Sequence, residues 1–364
     1  MIARSTVVVS LLLVALVLPS SAFTTQQVPS QRTVAATTSS TILRASLSPL
    51  PKDISPFEKS SSKYRDVQGE FRKTAQVALC QAIQDGQTQL ELEFPPLLGG
   101  AKSKSQFDDF DNVQELNQNR DWCIELLPKL NNEVSPIWFI LPDLKEVELA
   151  KEEWAGQRYR QAASWSSIEA VADHYSEGDF AKPWGATLAL GMNSLLGGDK
   201  GDAGLLGDQN SLDPLLLEGT AAPPALHLVC QPGNGGPVED WVNVKAIHVN
   251  AGGKIPTCIV NGALDKVRDG YYAGFIFPKL AKTFDFYKQF ESVFFLKPIS
   301  DKGLYGWLYR VYPEPWQVYL QTPYKKNDQV LVQDKVALVS DKRPSYAECV
   351  QALLSAATEA SKGQ

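Results

Sequence analysis

Five polar residues fall where an α/β chain would build a crevice: Glu93, Asp143, Gln231, Asn234 and Asn261. Each lies at or just beyond the end of a short apolar run that reads as a strand. In open parallel sheets, ligands bind beyond the carboxyl ends of the strands, so neighbouring strands would make these side chains converge. Carboxylates and amides gathered there suit hydrogen bonding to a small polar ligand such as a phosphate or nucleotide. The same residue types also cap helices and form turns, which is the plainer account of them.

The other residues able to do chemistry form no catalytic set. His174, His227 and His248 are far apart and lack metal-ligand spacing. His227 sits in a strand and reads as a satisfied core or edge histidine. The five cysteines, Cys80, Cys123, Cys230, Cys258 and Cys349, include no Cys-x-x-Cys. An odd, dispersed set argues against a disulfide framework and structural zinc, so each is expected to pack as a small apolar residue. Gly233-Asn234-Gly235-Gly236 follows a strand, but Val238-Glu239-Asp240 stands where a phosphate loop needs Lys-Ser/Thr. Two carboxylates in a first helical turn compete with phosphate for the positive end of the dipole, so the cluster reads as a turn. There is no Gly-x-Ser-x-Gly elbow, and Asp199-Lys200-Gly201-Asp202 lacks calcium-loop spacing. The chain leans away from enzyme, and no catalytic residue, metal or cofactor is assigned.

The elements that must position the five polar residues alternate along the chain. Helical spacing runs through 57–85, and Gln89 to Pro96 alternates strictly as a strand with one apolar face. A helix over 107–130 precedes Ile137-Trp138-Phe139-Ile140-Leu141-Pro142, apolar throughout as in a strand buried on both faces. Residues 144–175 read as mostly helical. Strands at 226–232, 256–261 and 292–298 are separated by helices over 238–247 and 277–290, and a last helix spans 344–362. Such alternation predicts a largely parallel sheet with helices on both faces, Rossmann-like in architecture, as one domain over 57–362. A glycine-rich stretch, 197–219, reads as a loop insertion.

After the fifth strand, Gly303 to Leu320 reads as two aromatic strands broken at Tyr312-Pro313-Glu314-Pro315, an antiparallel C-terminal hairpin. Alternation puts Trp307, Tyr309 and Val311 on one face and Leu308, Arg310 and Tyr312 on the other. Beyond the turn, Trp316, Val318 and Leu320 oppose Gln317 and Tyr319. Trp307 and Trp316 are expected to anchor the hairpin. Arg310 and Tyr319 are the candidates for a partner contact, because Arg and aromatic side chains are common interface anchors.

The formal charge is −6 over 364 residues, and residues 1–45 carry Arg4, Arg32 and Arg44 with no acid. Without them the chain stands near −9, which gives no general attraction for nucleic acid or anionic lipid. Arg4 and the short apolar run Val7 to Leu18 resemble a secretory signal ending near residue 22. Residues 23–52 contain no Asp or Glu and are rich in Ser and Thr, as transit peptides are. The pair resembles the bipartite leader of algae with complex plastids, which implies a plastid stroma location and at most peripheral contact with membranes.

Three segments carry a family likeness. These are Ala82 to Gly86 running into Leu90-Glu91-Leu92-Glu93-Phe94-Pro95-Pro96, the strand ends at Gln231-Pro232 and Asn261-Gly262, and Gly306-Trp307-Leu308-Tyr309-Arg310 through Trp316-Gln317. Together they resemble the plastid and cyanobacterial family catalogued as domain of unknown function nineteen ninety-five. The resemblance implies a soluble, non-catalytic auxiliary factor in photosystem II assembly, with thylakoid or assembly proteins as partners. It implies no catalytic residues.

Overall fold

The computed structural model describes residues 47–51, 64–95, 108–176, 223–233, 238–269, 271–326 and 329–362. Residues 1–46 of the expected leader, the insertion at 197–219 and Asn234 lie outside these residues, whereas Leu50, within the expected 23–52 transit segment, is 5% exposed and packs in the core. The chain divides into two units, Met1–Leu47 and Ser48–Gln364, and every element below belongs to the second.

The elements run α1 (Tyr64–Gln84), β1 (Gln89–Glu93), α2 (Asp108–Leu130), β2 (Ile137–Leu141), α3 (Leu144–Glu153), α4 (Gln157–Arg160), β3 (Ser164–Ser167) and α5 (Ile168–Ser176). They continue with β4 (Leu226–Cys230), α6 (Glu239–Asn250), β5 (Thr257–Val260), α7 (Asp265–Arg268), α8 (Pro278–Ala281) and α9 (Phe284–Tyr287). Four strands and a helix follow: β6 (Glu291–Asp301), β7 (Leu304–Val311), β8 (Trp316–Lys326), β9 (Gln329–Ser340) and α10 (Tyr346–Lys362). The nine strands form one sheet in the order β3-β2-β4-β5-β1-β6-β7-β8-β9. The first six in that order pair in parallel, and β6 to β9 pair antiparallel. The fold is therefore mixed α/β, mostly parallel, with an antiparallel C-terminal extension. In the doubly wound dinucleotide fold the first strand lies between the second and fourth; here β1 lies between β5 and β6.

Helices cover both faces. On one, Phe71, Ala75, Leu79 and Ala82 of α1 and Trp122, Leu126 and Leu130 of α2 pack on Leu90, Leu92, Phe139 and Leu228. On the other, Val171 of α5 and Trp241, Val244 and Ile247 of α6 pack on Ile140, Val229 and Ile259. Further along that second face, Cys349, Leu353 and Ala356 of α10 cover Phe295, Leu308, Trp316 and Val318. The apolar run of β2 is buried at every position, as a strand between two helical layers must be.

Several expectations are corrected. Residues 144–175 contain three helices and the strand β3, whose Ser164-Trp165-Ser166-Ser167 carries one apolar side chain and no strand signal. The 277–290 helix is two single turns, α8 and α9, with Thr283 between them. The hairpin is a ribbon of four antiparallel strands, with β9 its unforeseen outer member.

Trp307 pairs with Tyr319, and Leu308 with Val318, so the two tryptophans sit on opposite faces of the sheet. Trp307 joins the α1 face and Trp316 the α10 face. That overturns the assignment of Arg310 and Tyr319 as surface contacts. Tyr319 is only 6% exposed, and its hydroxyl donates to Gln317 Oε1 at 2.7 Å. Arg310 donates to Glu291 Oε1 at 2.5 Å and to the Glu314 carbonyl at 3.0 Å, and stacks over Trp316. Around Trp307 and Trp316 both faces of this ribbon are covered, so alternation there leaves neither face for a partner.

Candidate functional site

β1 lies deep in the sheet, and strand alternation divides its side chains. Leu90 and Leu92 enter the α1 face, while Glu91 and Glu93 point to the other. A bulge in β6 sets what they meet: Glu91 pairs with Ser292, but Leu92 with Phe294 and Glu93 with Phe295. The extra residue keeps Ser292 beside Glu91 and places Phe295 and Lys297 on the face of Glu93.

Glu91 is 1% exposed and is neutralised from α7. Its Oε2 accepts from Arg268 Nη1 at 2.9 Å and from Ser292 Oγ at 2.5 Å. Arg268 spends its other donors on backbone: Nε on the Tyr287 carbonyl and Nη2 on the Phe290 carbonyl, both at 2.9 Å. Each of its three nitrogens is thus bonded to the fold, so this guanidinium is an anchor.

A second set of charges lies around it. Asp265, at the start of α7, holds Arg343 Nη2 at 2.6 Å through one oxygen and Lys297 Nζ at 3.2 Å through the other. Arg343 comes from the segment between β9 and α10, with its Cζ 4.4 Å from the Phe295 ring centre and 5.2 Å from that of Trp316. Its Nη1 is shielded and stands 3.8 Å from Glu91 Oε2, beyond hydrogen-bond length. Arg343 also lines a groove of about 530 Å³ between β9 and α10, together with Lys342, Glu348 and Gln351.

Glu93 closes the arrangement. The residue keeps partial exposure, but its Oε2 is shielded and has no hydrogen-bond partner among the described residues. Burial pushes its pKa up to about 8; Lys297 and Arg343 oppose the rise, while Glu91 and Asp265 add to it. At neutral pH Glu93 is therefore mostly protonated and donates rather than accepts. Three cations, Arg268, Lys297 and Arg343, then face two carboxylates, Glu91 and Asp265. The cluster carries one net positive charge.

The folded protein holds a proton on Glu93 that the unfolded chain releases above its ordinary value of 4.5. Protons are bound more in the native state across that interval, so Glu93 makes stability fall as pH rises from about 4.5 towards 8. Glu93→Gln removes this slope. Urea titrations at pH 5 and pH 8 should show the variant gaining on the wild type by on the order of 3 kcal/mol at the higher pH, at about 1.4 kcal/mol per pKa unit. Parallel pH curves would exclude a protonated Glu93. His227 works in the opposite sense: it is fully buried, its Nε2 meets Tyr175 Oη at 3.1 Å, and burial followed by His248 holds its pKa down to about 3. It must be charged on acid unfolding, so it lowers stability as pH falls below 6.5.

Of the four residues expected to converge that the structure describes, Glu93 alone enters this cluster. Asn261 follows β5 in a left-handed conformation (φ 49°), accepts from Phe94 N at 2.7 Å and donates to Asn119 on the α1 face. Gln231 follows β4 with φ 45° and is 4% exposed. Asp143 caps α3 by accepting from Glu146 N at 2.8 Å. The residues share an edge of the sheet but not a face. Asp240, beside that edge, accepts from Gly233 N at 2.9 Å, and burial pushes it up to about 7. Asp265, Arg268, Lys297 and Arg343 were missed. Asp265 and Arg268 are one helical turn apart and Lys297 shares the strand face of Phe295, but no local signal ties Arg343 to them.

Residues 68–351 match a family model described as Domain of unknown function (DUF1995). The chain belongs to the DUF1995 family. No curated protein and no solved structure matches it. The matched span of this DUF1995 chain contains the whole cluster from Glu91 to Arg343, and the three segments that carried the resemblance. All five cysteine thiols are free, and four are buried in the core.

Proposed function

We propose that this DUF1995 chain binds a small anion of carboxylate or phosphate type at the carboxyl end of β1. The supporting observation is a pair of shielded polar atoms, Glu93 Oε2 and Arg343 Nη1, with no hydrogen-bond partner among the described residues. Leaving such atoms unsatisfied costs about 1–3 kcal/mol each, so buried groups of this kind are normally paired. A protonated Glu93 and the free edge of Arg343 both donate, as does Lys297. Three donors around a site of one net positive charge suit a single negative charge. Above pH 8 an ionised Glu93 repels the same ligand.

Thermal-shift and calorimetric titration with inorganic phosphate, acetate and nucleoside monophosphates tests the reading. A ligand at one hundred times its Kd should stabilise the fold by about 2.7 kcal/mol. Lys297→Gln and Arg343→Gln should abolish the gain. If no compound raises the melting temperature, or both variants respond like the wild type, the site is structural.

A second reading, an auxiliary factor for photosystem II assembly in a plastid, rests on the sequence resemblance and on the leader composition. Exposed Tyr271, Phe275 and Ile276 favour it, because they give such a factor a contact surface.

A further inference from the structure

Between α7 and α8 the chain puts three large apolar side chains into solvent. Phe275 is 87% exposed, Tyr271 75% and Ile276 59%. Their base is fixed. Tyr272 meets Tyr271 and Phe277 edge-on, with ring centres 5.2 and 5.6 Å apart. Tyr272 and Phe277 pack on the α6 core, and Leu280 just behind them is 1% exposed. The turn is closed by Ile276 N and Phe277 N, which both donate to the Ala273 carbonyl, at 3.0 and 3.1 Å. Three apolar tips thus stand on a rigid stem, where burial of apolar surface elsewhere in the chain is the rule.

The surrounding charge is opposite to that of the chain. Residues 266–288 carry five basic and two acidic side chains, against −6 for the whole protein, and no acid lies between Asp269 and Asp285. Lys279 and Lys282 are exposed beside the tip, and Lys245 of α6 joins them by donating to the Lys282 carbonyl at 2.7 Å. Aromatic and aliphatic tips with lysines at their base match the water–lipid interface: rings enter the headgroup layer while ammonium groups stay with anionic phosphates. No helix among the described residues is long and apolar enough to cross a membrane, so the contact is peripheral.

We infer that Tyr271–Lys282 is a membrane-contact loop for anionic lipid surfaces, with Phe275 and Ile276 inserted and Lys245, Lys279 and Lys282 on the headgroups. None of the residues assigned to this contact belongs to the cluster at β1, although Arg268 of that cluster lies three residues before the loop.

Co-sedimentation of the full chain with vesicles, one set of zwitterionic lipid and one with a third anionic lipid, tests this. The wild type should bind the anionic set and lose binding as salt is raised. Phe275→Ala/Ile276→Ala should weaken it by about tenfold or more, the value of removing an inserted apolar side chain. Lys279→Gln/Lys282→Gln should weaken it by about fivefold per lysine. All four substitutions are at exposed positions, so melting temperatures should match the wild type. Hydrogen exchange with vesicles present should protect amides 271–277. The inference is overturned if the wild type leaves the vesicles unbound, if both double variants bind like the wild type, or if protection falls elsewhere. Loss of a vesicle-independent dimer in Phe275→Ala/Ile276→Ala would overturn it in favour of contact with a second copy.

Discussion

Arg268→Met should lower the unfolding free energy by about 3–5 kcal/mol, because it strips the counter-charge from a buried carboxylate. Glu91 is 1% exposed in the interior of the sheet, and Arg268 donates to it at 2.9 Å. The same guanidinium ties the central strand to the carbonyls of Tyr287 and Phe290, so α7 and the end of α9 lose their hold on β1 together. Ser292 still donates to Glu91, and Arg343 stands 3.8 Å away, but neither replaces a bonded cation. The diagnostic comparison is Glu91→Leu/Arg268→Met. Removing both charges leaves no unpaired carboxylate, so the double variant should be more stable than Arg268→Met alone. Urea denaturation of the three proteins measures this. A loss under about 1 kcal/mol for the single variant would mean that water reaches Glu91.

Trp307→Ala should cost a similar 3–5 kcal/mol, for a different reason. The indole is fully buried on the α1 face beneath Tyr305, with ring centres 6.2 Å apart. Its Nε1 donates to Gln321 Oε1 at 2.9 Å, and Gln321 in turn donates to Asp334 Oδ1 on β9 at 2.8 Å. Truncation therefore opens a cavity and leaves Gln321, itself 5% exposed, with a bare acceptor. Trp307→Phe separates the two effects: it keeps most of the volume and should cost only about 1–3 kcal/mol, the value of the orphaned acceptor. Equal losses in the two variants would show that the hydrogen bond, and not the packing, holds the ribbon together.

Local pattern was enough for elements that are apolar in a regular way. Ile137 to Leu141 announces a doubly covered strand, and the prolines at 313 and 315 announce the turn between β7 and β8. Strict alternation also put Glu91 and Glu93 together. What alternation lacks is the layer above them: a charged face on an edge strand is solvated, but on a strand flanked by β5 and β6 it is buried and must find cations. Those cations come from residues 268, 297 and 343, and Arg268 alone is 177 positions from its partner. No window of sequence spans that distance. The burial of Tyr319 was out of reach likewise, because the register between β7 and β8 sets it beside Trp307 on the covered α1 face.

The strand order also sets a timetable for folding. Among the described residues β1 is the first strand, yet it pairs only with β5 and β6, at residues 257–260 and 291–301. During synthesis it must wait for some 170 further residues, while β2 and β3, separated only by the two short helices α3 and α4, can join early. Pairing between such distant segments is slow, since the chain loses loop entropy before any contact repays it. The middle of the sheet is thus the last part to close, and a fragment ending before β5 holds Glu91 and Glu93 with nothing to bury them against.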